Sequence, residues 1–459
     1  MLNKNIINEL QRIFGSKDVL TSKISLESYA YDSSPFIHQP DAVVFADSVG
    51  EICELMKLAN GEGIVVIPRG AGTNLSGGCV PRYGGIILAM NRFNNILEID
   101  TVNQTAWVEP GVANMTLQNE LAPQGFMFAP DPASQKVATL GGNVAECAGG
   151  MRGVKYGVTR DHLLGLELVL ADGDRVTLGG LGKHLPGIDL TGIFCGSEGT
   201  FGIITKILVK LTPLSEAVRT MMAVFDSLDQ AGETVSKIIG RGIIPTTLEI
   251  MDQTMVRAVD DFLNLGFPRD AEAVLLIEVD GYEVEVDRQT ETIVKICKET
   301  GAINVQRANS EEERQKLWLA RRSGNGALGR IKAAYIVQDV TVPINKLPEM
   351  LRFVADISKK YCVVIAQMAH AGDGNLHPHL LYDPFDPEEH ARVEAAAREI
   401  FLAAIKAEGT LTGEHGIGME KLDYMPLAFS SADLGFMEQV KRGLDPNLIL
   451  NRGKVLDIS

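Results

Sequence analysis

Near its start the chain reads LNKNIINELQRIFG, in which Leu2, Ile6, Leu10, Ile13 and Phe14 recur at helical spacing while Lys4, Glu9 and Arg12 interrupt them. That pattern predicts an amphipathic helix docked on a core, and its charges do not suit the apolar stretch of a signal peptide. Residues 42–46 then read as a short strand. Ser48 and Glu51 make the S-x-x-E pattern that opens a helix, expected to run to Asn60 and stop at Gly61. Residues 64–68 form a second, wholly apolar strand, so this stretch predicts a β-α-β unit. Farther on, HLLGLELVLADGDRVTL predicts two strands joined through Asp172-Gly173.

After Thr212-Pro213 the rhythm changes. Strands expected at 274–280 and 333–343 alternate with long charged helices at 281–300 and 386–408, which predicts a second domain of α+β type. YCVVIAQMAH reads as a strand ending at His370 and LHPHLLYD as the next. Residues 371–376 would join them as a hairpin loop, with Gly372 and Gly374 permitting tight backbone angles. No apolar run approaches the roughly 20 residues that span a bilayer.

With 459 residues and 45% hydrophobic content, the chain can fill two packed cores. Its formal net charge of -16 argues against nucleic acid as a partner, because phosphate binding is driven by clustered Lys and Arg. An anionic substrate must therefore meet a local positive site. The six cysteines, at 53, 79, 147, 195, 297 and 362, lie far apart and form no C-x-x-C, a distribution unlike a disulfide framework or a cysteine-held cluster. A cytosolic location is expected.

At the end of the second apolar strand stands PRGAGTNLSGG, a loop that can present backbone N–H groups to a phosphate. A dinucleotide fingerprint of the G-x-G-x-x-G type would need glycine at position 75, where this chain has Leu75. A P-loop read from Gly72 reaches Gly77 but then offers Gly78 in place of lysine. PDPAS, ATLGGNVAECAGG and GSEGTFGIITK follow as further turns and loops rich in small residues. Several such loops within one segment predict an extended ligand with two phosphates and two ring systems, a description that FAD fits.

Taken in order, PRGAGTNLSGG, PDPAS, ATLGGNVAECAGG, GSEGTFGIITK, HAGDGNLH and GEHGIG resemble the FAD-linked D-2-hydroxyacid dehydrogenases of the vanillyl-alcohol oxidase superfamily. That family includes D-lactate dehydrogenase, the flavin subunit of glycolate oxidase and D-2-hydroxyglutarate dehydrogenase. The resemblance implies an α+β protein with a two-subdomain FAD-binding domain of the vanillyl-alcohol oxidase type and an α+β substrate domain. The expected boundaries are an N-terminal helical segment at 1–36, the FAD domain at 37–215, a substrate and metal domain at 216–430, and a C-terminal segment at 431–459 that returns to the FAD domain. It implies that Pro68, Arg69, Gly70, Ala71, Gly72, Thr73, Asn74 and Ser76 hold the pyrophosphate. Pro130, Asp131, Ser134, Gly141, Gly142 and Asn143 would lie near the flavin, and Gly196, Gly199, Gly202 and Asn451 would complete the site. Some relatives tether FAD through a histidine in the first loop; here Thr73 follows Gly72 and the loop has none, so noncovalent FAD is expected. The family's usual Asn-Pro-Gly-Lys is Asn451-Arg452-Gly453-Lys454 in this chain, without the proline that constrains the turn.

HAGDGNLHPH gathers three of the chain's eight histidines. His370 and His377 flank the turn and can converge on one ion, while His379 shares the face of His377 two residues on. Histidines in turns and strands more often only form hydrogen bonds, but LTGEHGIG adds a carboxylate and an imidazole. Two imidazoles and a carboxylate suit Zn²⁺, with Mn²⁺ or Fe²⁺ as alternatives. His370, His377 and Glu414 are the expected ligands, a set that the resemblance supports. His415 is left as the base, a role suited to a group that titrates near neutrality. A carboxylate substrate calls for a guanidinium, and of Arg321 and Arg322 the resemblance implies Arg321. Asn325 and His379 stand where other family members carry polar residues that read the substrate's far end; their identity leans toward a small acid.

The expected reaction is oxidation of a D-2-hydroxyacid, D-lactate to pyruvate first, with glycolate and D-2-hydroxyglutarate as alternatives. A zinc hydrolase would leave the glycine loops without a purpose, and the ligand set with His415 argues against a silent flavin-binding subunit. Without an iron-sulfur motif or a nicotinamide site, electrons are expected to pass to a partner. An electron-transfer flavoprotein, an iron-sulfur subunit and a quinone-linked acceptor are the candidates.

Overall fold

Asn3 starts the first helix, α1 (Lys4–Phe14), by accepting the Ile6 amide at 3.0 Å, and Gly15 ends it at a φ of +82°. Ile6, Leu10 and Phe14 form its buried stripe and enter a core with Val44, Ile52, Leu55, Val66 and Leu88. Burying each such side chain contributes about 1.5–3 kcal/mol. The computed structural model describes residues 2–182 and 187–458. They fall into two units, one of residues 1–149, 157–214 and 414–459, the other of residues 150–156 and 215–413.

In the first unit, α2 (Val49–Glu62) is opened by the predicted Ser48 and Glu51 capping box; it closes at Gly63 in the left-handed conformation, two residues beyond the expected stop. Strands β1 (Val19–Leu20), β2 (Ala42–Phe45), β3 (Val66–Arg69) and β4 (Ile86–Ala89) form a sheet in the order β1-β2-β4-β3. β2 and β3 are parallel, as a β-α-β unit requires, but each pairs with β4 and not with the other. All four residues of β4 are buried. A strand apolar on both faces is stable at the centre of a parallel sheet, so this later segment separates the two predicted neighbours.

A second sheet contains β5 (Ile96–Asp100), β6 (Thr105–Val108), β7 (Leu163–Val169), β8 (Arg175–Gly179) and β9 (Ile203–Lys210) in the order β5-β6-β9-β7-β8. β7 and β8 are the hairpin expected around Asp172-Gly173. Val108, Leu166, Leu168 and Ile207 of this sheet share a core with Leu140 and Val144 of α3 (Leu140–Glu146). Side chains of the turn near the C-terminus tie it to the loops of this unit. Asn451, at a φ of +40°, donates from Nδ2 to the carbonyls of Gly78 (2.8 Å) and Glu198 (2.6 Å), and Lys454 Nζ donates to that of Val80 (2.6 Å).

The second unit is built on an antiparallel sheet of eight strands. They are β10 (Ala217–Phe225), β11 (Thr247–Asp252), β12 (Ala273–Gly281), β13 (Asn304–Arg307), β14 (Ala334–Val337), β15 (Val340–Thr341), β16 (Val364–His370) and β17 (Asn375–Tyr382). The order is β13-β10-β12-β11-β16-β17-β14, with β15 also paired to β17. The expected charged helices are α4 (Glu283–Glu299) and, beyond α5 (Glu311–Arg322), α6 (Pro387–Lys406). The single strand expected at 333–343 is instead two strands, broken at Gln338 and Asp339. Pro378 of the facing strand accepts the Gln338 amide at 2.9 Å but has no N–H to give in return, so the ladder loses a rung there while the register continues from Val337 opposite His379 to Val340 opposite Leu376. Among the described residues no helix is long and apolar enough to cross a membrane.

Candidate active site

Within the first unit the glycine loops come together. A Cβ on Gly199, whose φ is +70°, would stand 2.7 Å from Pro68 Cγ, so only glycine lets these two loops meet. The Gly196 and Glu198 amides donate to the carbonyls of Val144 (2.9 Å) and Ala145 (2.8 Å) at the end of α3. Asn74 Oδ1 ties the first loop by accepting the Ser76 and Gly78 amides at 2.8 and 2.6 Å. Pro130 is fixed through its carbonyl by Asn114 Nδ2 at 3.0 Å, and the Ser134 carbonyl accepts from Val137 and Ala138. Asp131 is buried, whereas Ala71 is exposed. Gly141 donates to the Pro110 carbonyl and Gly142 to Thr139 Oγ1, the cap of α3. Gly202 faces Phe194 of the core. Arg69 turns beneath its own loop, with Nη1 3.2 Å from Cys79 Sγ and its guanidinium over the Tyr29 ring.

Side-chain atoms buried here without a protein partner among the described residues include the donor Nδ2 of Asn143 and the acceptor Oδ1 of Asn451. Buried polar groups are almost always paired. A ligand that offers both acceptors and donors along its length answers both, and FAD does so.

GEHGIG lies against the same loops. The His415 carbonyl accepts from Asn74 Nδ2 (3.1 Å) and Ser76 Oγ (3.0 Å), and its ring Nε2 is 3.9 Å from Glu414 Oε1. Glu198, which the sequence reading passed over between two glycines, receives the Ile417 and Gly418 amides on its two oxygens, each at 2.7 Å. Burial raises the Glu198 carboxyl and these amides partly offset the rise. Burial raises Glu146 still further, with repulsion from Glu198 adding to it. Lys454 is pushed down by burial to about 8.

In the second unit, antiparallel pairing sets Glu249 of β11 opposite His370 of β16, and His370 opposite Asn375 of β17. Opposed residues share a face, so Glu249, His370, Asn375, His377 and His379 all project from one side of the sheet. The His370 and His377 rings meet edge to face with centroids 5.0 Å apart, and their donor atoms lie within 4.8 Å. Two imidazoles so placed suit a borderline divalent ion. His370 Nδ1 is 2.8 Å from Glu249 Oε1, while Arg321 donates to Glu249 Oε2 from Nε (2.7 Å) and pairs with it through Nη2 (2.6 Å). Burial alone would raise the Glu249 carboxyl, but His370 and Arg321 bring it below the usual range.

Asp339 is wholly buried and 3.9 Å from His377 Nδ1. It accepts from Asn375 Nδ2 (2.8 Å), from Thr412 Oγ1 and from the Gly413 amide (3.0 Å). The next residue in the chain is Glu414. His379 is held at both nitrogens, Nδ1 donating to the His377 carbonyl (2.7 Å) and Nε2 lying 2.9 Å from the Asn325 side chain.

The glycine loops of the first unit and the histidines and carboxylates gathered on one sheet face of the second are the chemistry a flavin-linked redox protein needs. Residues 40–179 match the FAD binding domain family and residues 214–455 match the family of FAD linked oxidases, C-terminal domain. The chain belongs to the FAD-linked oxidases and is an oxidoreductase. It is 43% identical to glycolate oxidase subunit GlcD of Bacillus subtilis over 99% of this chain and 97% of that one. It is 33% identical to D-lactate dehydrogenase of Anaerostipes hadrus over 96% and 94%. In fold it resembles p-cresol methylhydroxylase, with a TM-score of 0.82, 18% identity and coverage of 98% and 96%. Alkyldihydroxyacetonephosphate synthase is similar at a TM-score of 0.77 and 21% identity, covering 98% and 86%. The fold is of the vanillyl-alcohol oxidase type, as the motifs implied.

Proposed function

We propose that this protein oxidises a short 2-hydroxyacid, of the size of D-lactate or glycolate, to the 2-oxoacid. The observation that carries the reading is the pair His370 and His377 on one sheet face beside the Glu249 and Arg321 ion pair, in a chain that belongs to the FAD-linked oxidases. Its similarity to a glycolate oxidase subunit and a D-lactate dehydrogenase points to the same substrate class.

His370 and His377 would hold a divalent ion, Zn²⁺ first, with Glu414 as the carboxylate ligand delivered by the chain directly after Gly413. When bound, the ion supplies Lewis acidity to the substrate's hydroxyl, and FAD supplies the two-electron acceptor for the hydride. Arg321 gives two of its donors to Glu249 and keeps others for the substrate carboxylate. His415 takes the hydroxyl proton. Its carbonyl is pinned by Asn74 and Ser76 and the following amides by Glu198, so the ring is carried on a fixed backbone. Asn325 and His379 bound the substrate's far end. FAD is held noncovalently by the first unit, and the electrons leave to a separate acceptor protein, an electron-transfer flavoprotein or an iron-sulfur subunit.

Anaerobic addition of D-lactate, glycolate and D-2-hydroxyglutarate to the purified yellow protein tests the reading. Bleaching of the flavin by a short acid is expected, and a spectrum unchanged by all three would sink it.

A further inference from the structure

We infer that Glu249 is a positioning residue that fixes the proton of His370 on Nδ1 and the orientation of Arg321 at the same time, so that ion binding and substrate-carboxylate binding depend on one buried carboxylate. The inference rests on the function proposed above for the roles of His370 and Arg321, and on geometry for the rest.

Glu249 is 1% exposed, and its two oxygens are divided between two partners. Oε2 receives Arg321, which has only donors to give; Oε1 faces His370 Nδ1 at 2.8 Å. A neutral imidazole beside a carboxylate places its single N–H toward it. The lone pair is thereby placed on Nε2, the nitrogen that can present it to an ion. β-sheet register makes the arrangement rigid, since Glu249 and His370 are directly opposed on adjacent strands. Arg321 reaches the same carboxylate from the last turn of α5, a helix anchored by Trp318 and Ala320 in the core beneath. The carboxylate also balances the buried guanidinium, so the unit carries no uncompensated charge at this point.

Glu249→Gln changes the donor pattern without changing size. The amide oxygen must face Arg321, because two sets of donors cannot face each other. The amide NH₂ then faces His370 Nδ1, which must become the acceptor, and the ring proton moves to Nε2 and blocks ligation. Removing the claim on that oxygen reverses the effect: in Glu249→Gln/Arg321→Met the amide can rotate, accept the Nδ1 proton and restore the ligating tautomer.

Zn²⁺ affinity of the FAD-loaded protein, measured by competition with a fluorescent chelator, should fall about 10–100-fold in Glu249→Gln. Most of that loss should return in the double variant, and Arg321→Met alone should keep Zn²⁺ while losing substrate saturation. Nitrogen-15 histidine NMR of the ion-free protein should show His370 protonated at Nδ1 in the parent and at Nε2 in Glu249→Gln. A purely structural role for Glu249 predicts no recovery on removing its partner. Equal Zn²⁺ affinity in parent and Glu249→Gln, or a double variant as weak as the single one, overturns the inference. If Glu249→Gln fails to fold, the NMR of the parent and the Zn²⁺ affinity of the double variant still decide it. Flavin bleaching by 2-hydroxyacids in the parent is read separately, so failure of the proposed reaction with the expected Zn²⁺ pattern leaves the Glu249 inference standing.

Discussion

Burial acts on single groups in this protein with a sign that can be worked out. Burial holds the Glu146 carboxyl well above the usual carboxylate range, and Glu198 pushes it further. The native state therefore binds a proton that the unfolded chain has already released, so stability falls as pH climbs from the ordinary carboxylate range toward the raised value. Glu146→Gln should flatten that fall, as urea midpoints of the FAD-loaded protein between about pH 5 and 8 would show; parallel curves would mean that Glu146 ionises normally. The two chemical roles assigned to histidines separate in the same manner. His415→Ala is expected to slow flavin reduction by about 10²–10⁴ while Zn²⁺ stays bound, and His377→Ala to lose both. Equal Zn²⁺ loss in the two variants would mean the roles are assigned wrongly. His370, His377 and His415 could be singled out from the chain because imidazoles are scarce in it. Glu249, Asp339 and Glu198 could not, since an acidic chain has many carboxylates and only their neighbours in space set these three apart.

At the scale of elements, the turn between β16 and β17 is decided by one position. Gly374 has a φ of +78°, and a Cβ there would stand 2.1 Å from the Val342 carbonyl. Gly374→Ala should therefore cost at least about 1–3 kcal/mol and lower the thermal midpoint, and a midpoint equal to the parent's would show that the turn relaxes freely. The loop carrying His415 depends on a different device, the Glu198 carboxylate gripping two consecutive amides. Glu198→Gln can accept only one of them, and about 1.5–3 kcal/mol of charge-assisted bonding is at stake. Slower flavin reduction with unchanged Zn²⁺ affinity is the expected outcome in stopped flow; loss of Zn²⁺ instead would place Glu198 in the ion's support. Amphipathic α1, the capping box of α2 and the Asp172-Gly173 hairpin were legible because their signals are local in the chain. The division of 333–343 into β14 and β15 was not, because the interruption comes from Pro378 on another strand.

For the whole molecule, the absence of a histidine from the loop after β3 leads to the expectation that acid precipitation releases all of the flavin into the supernatant; yellow colour retained in the washed pellet would contradict it. A partner for the reduced flavin should co-purify or restore turnover, and direct, partner-free reduction of a quinone would count against an electron-transfer flavoprotein in that role. The glycine loops, the α+β class, the family and the residue types available for ion binding and proton transfer are all written in short runs of neighbouring residues, so they could be read from the chain before it folds. Packing settled which carboxylate stands opposite which histidine, that β4 inserts between β2 and β3, that Arg69 turns under its loop, and that Asn451 and Lys454 reach the carbonyls of Gly78, Glu198 and Val80. Those outcomes depend on strand register and on buried polar groups finding partners far away in the chain, and neither is fixed until the cores have packed.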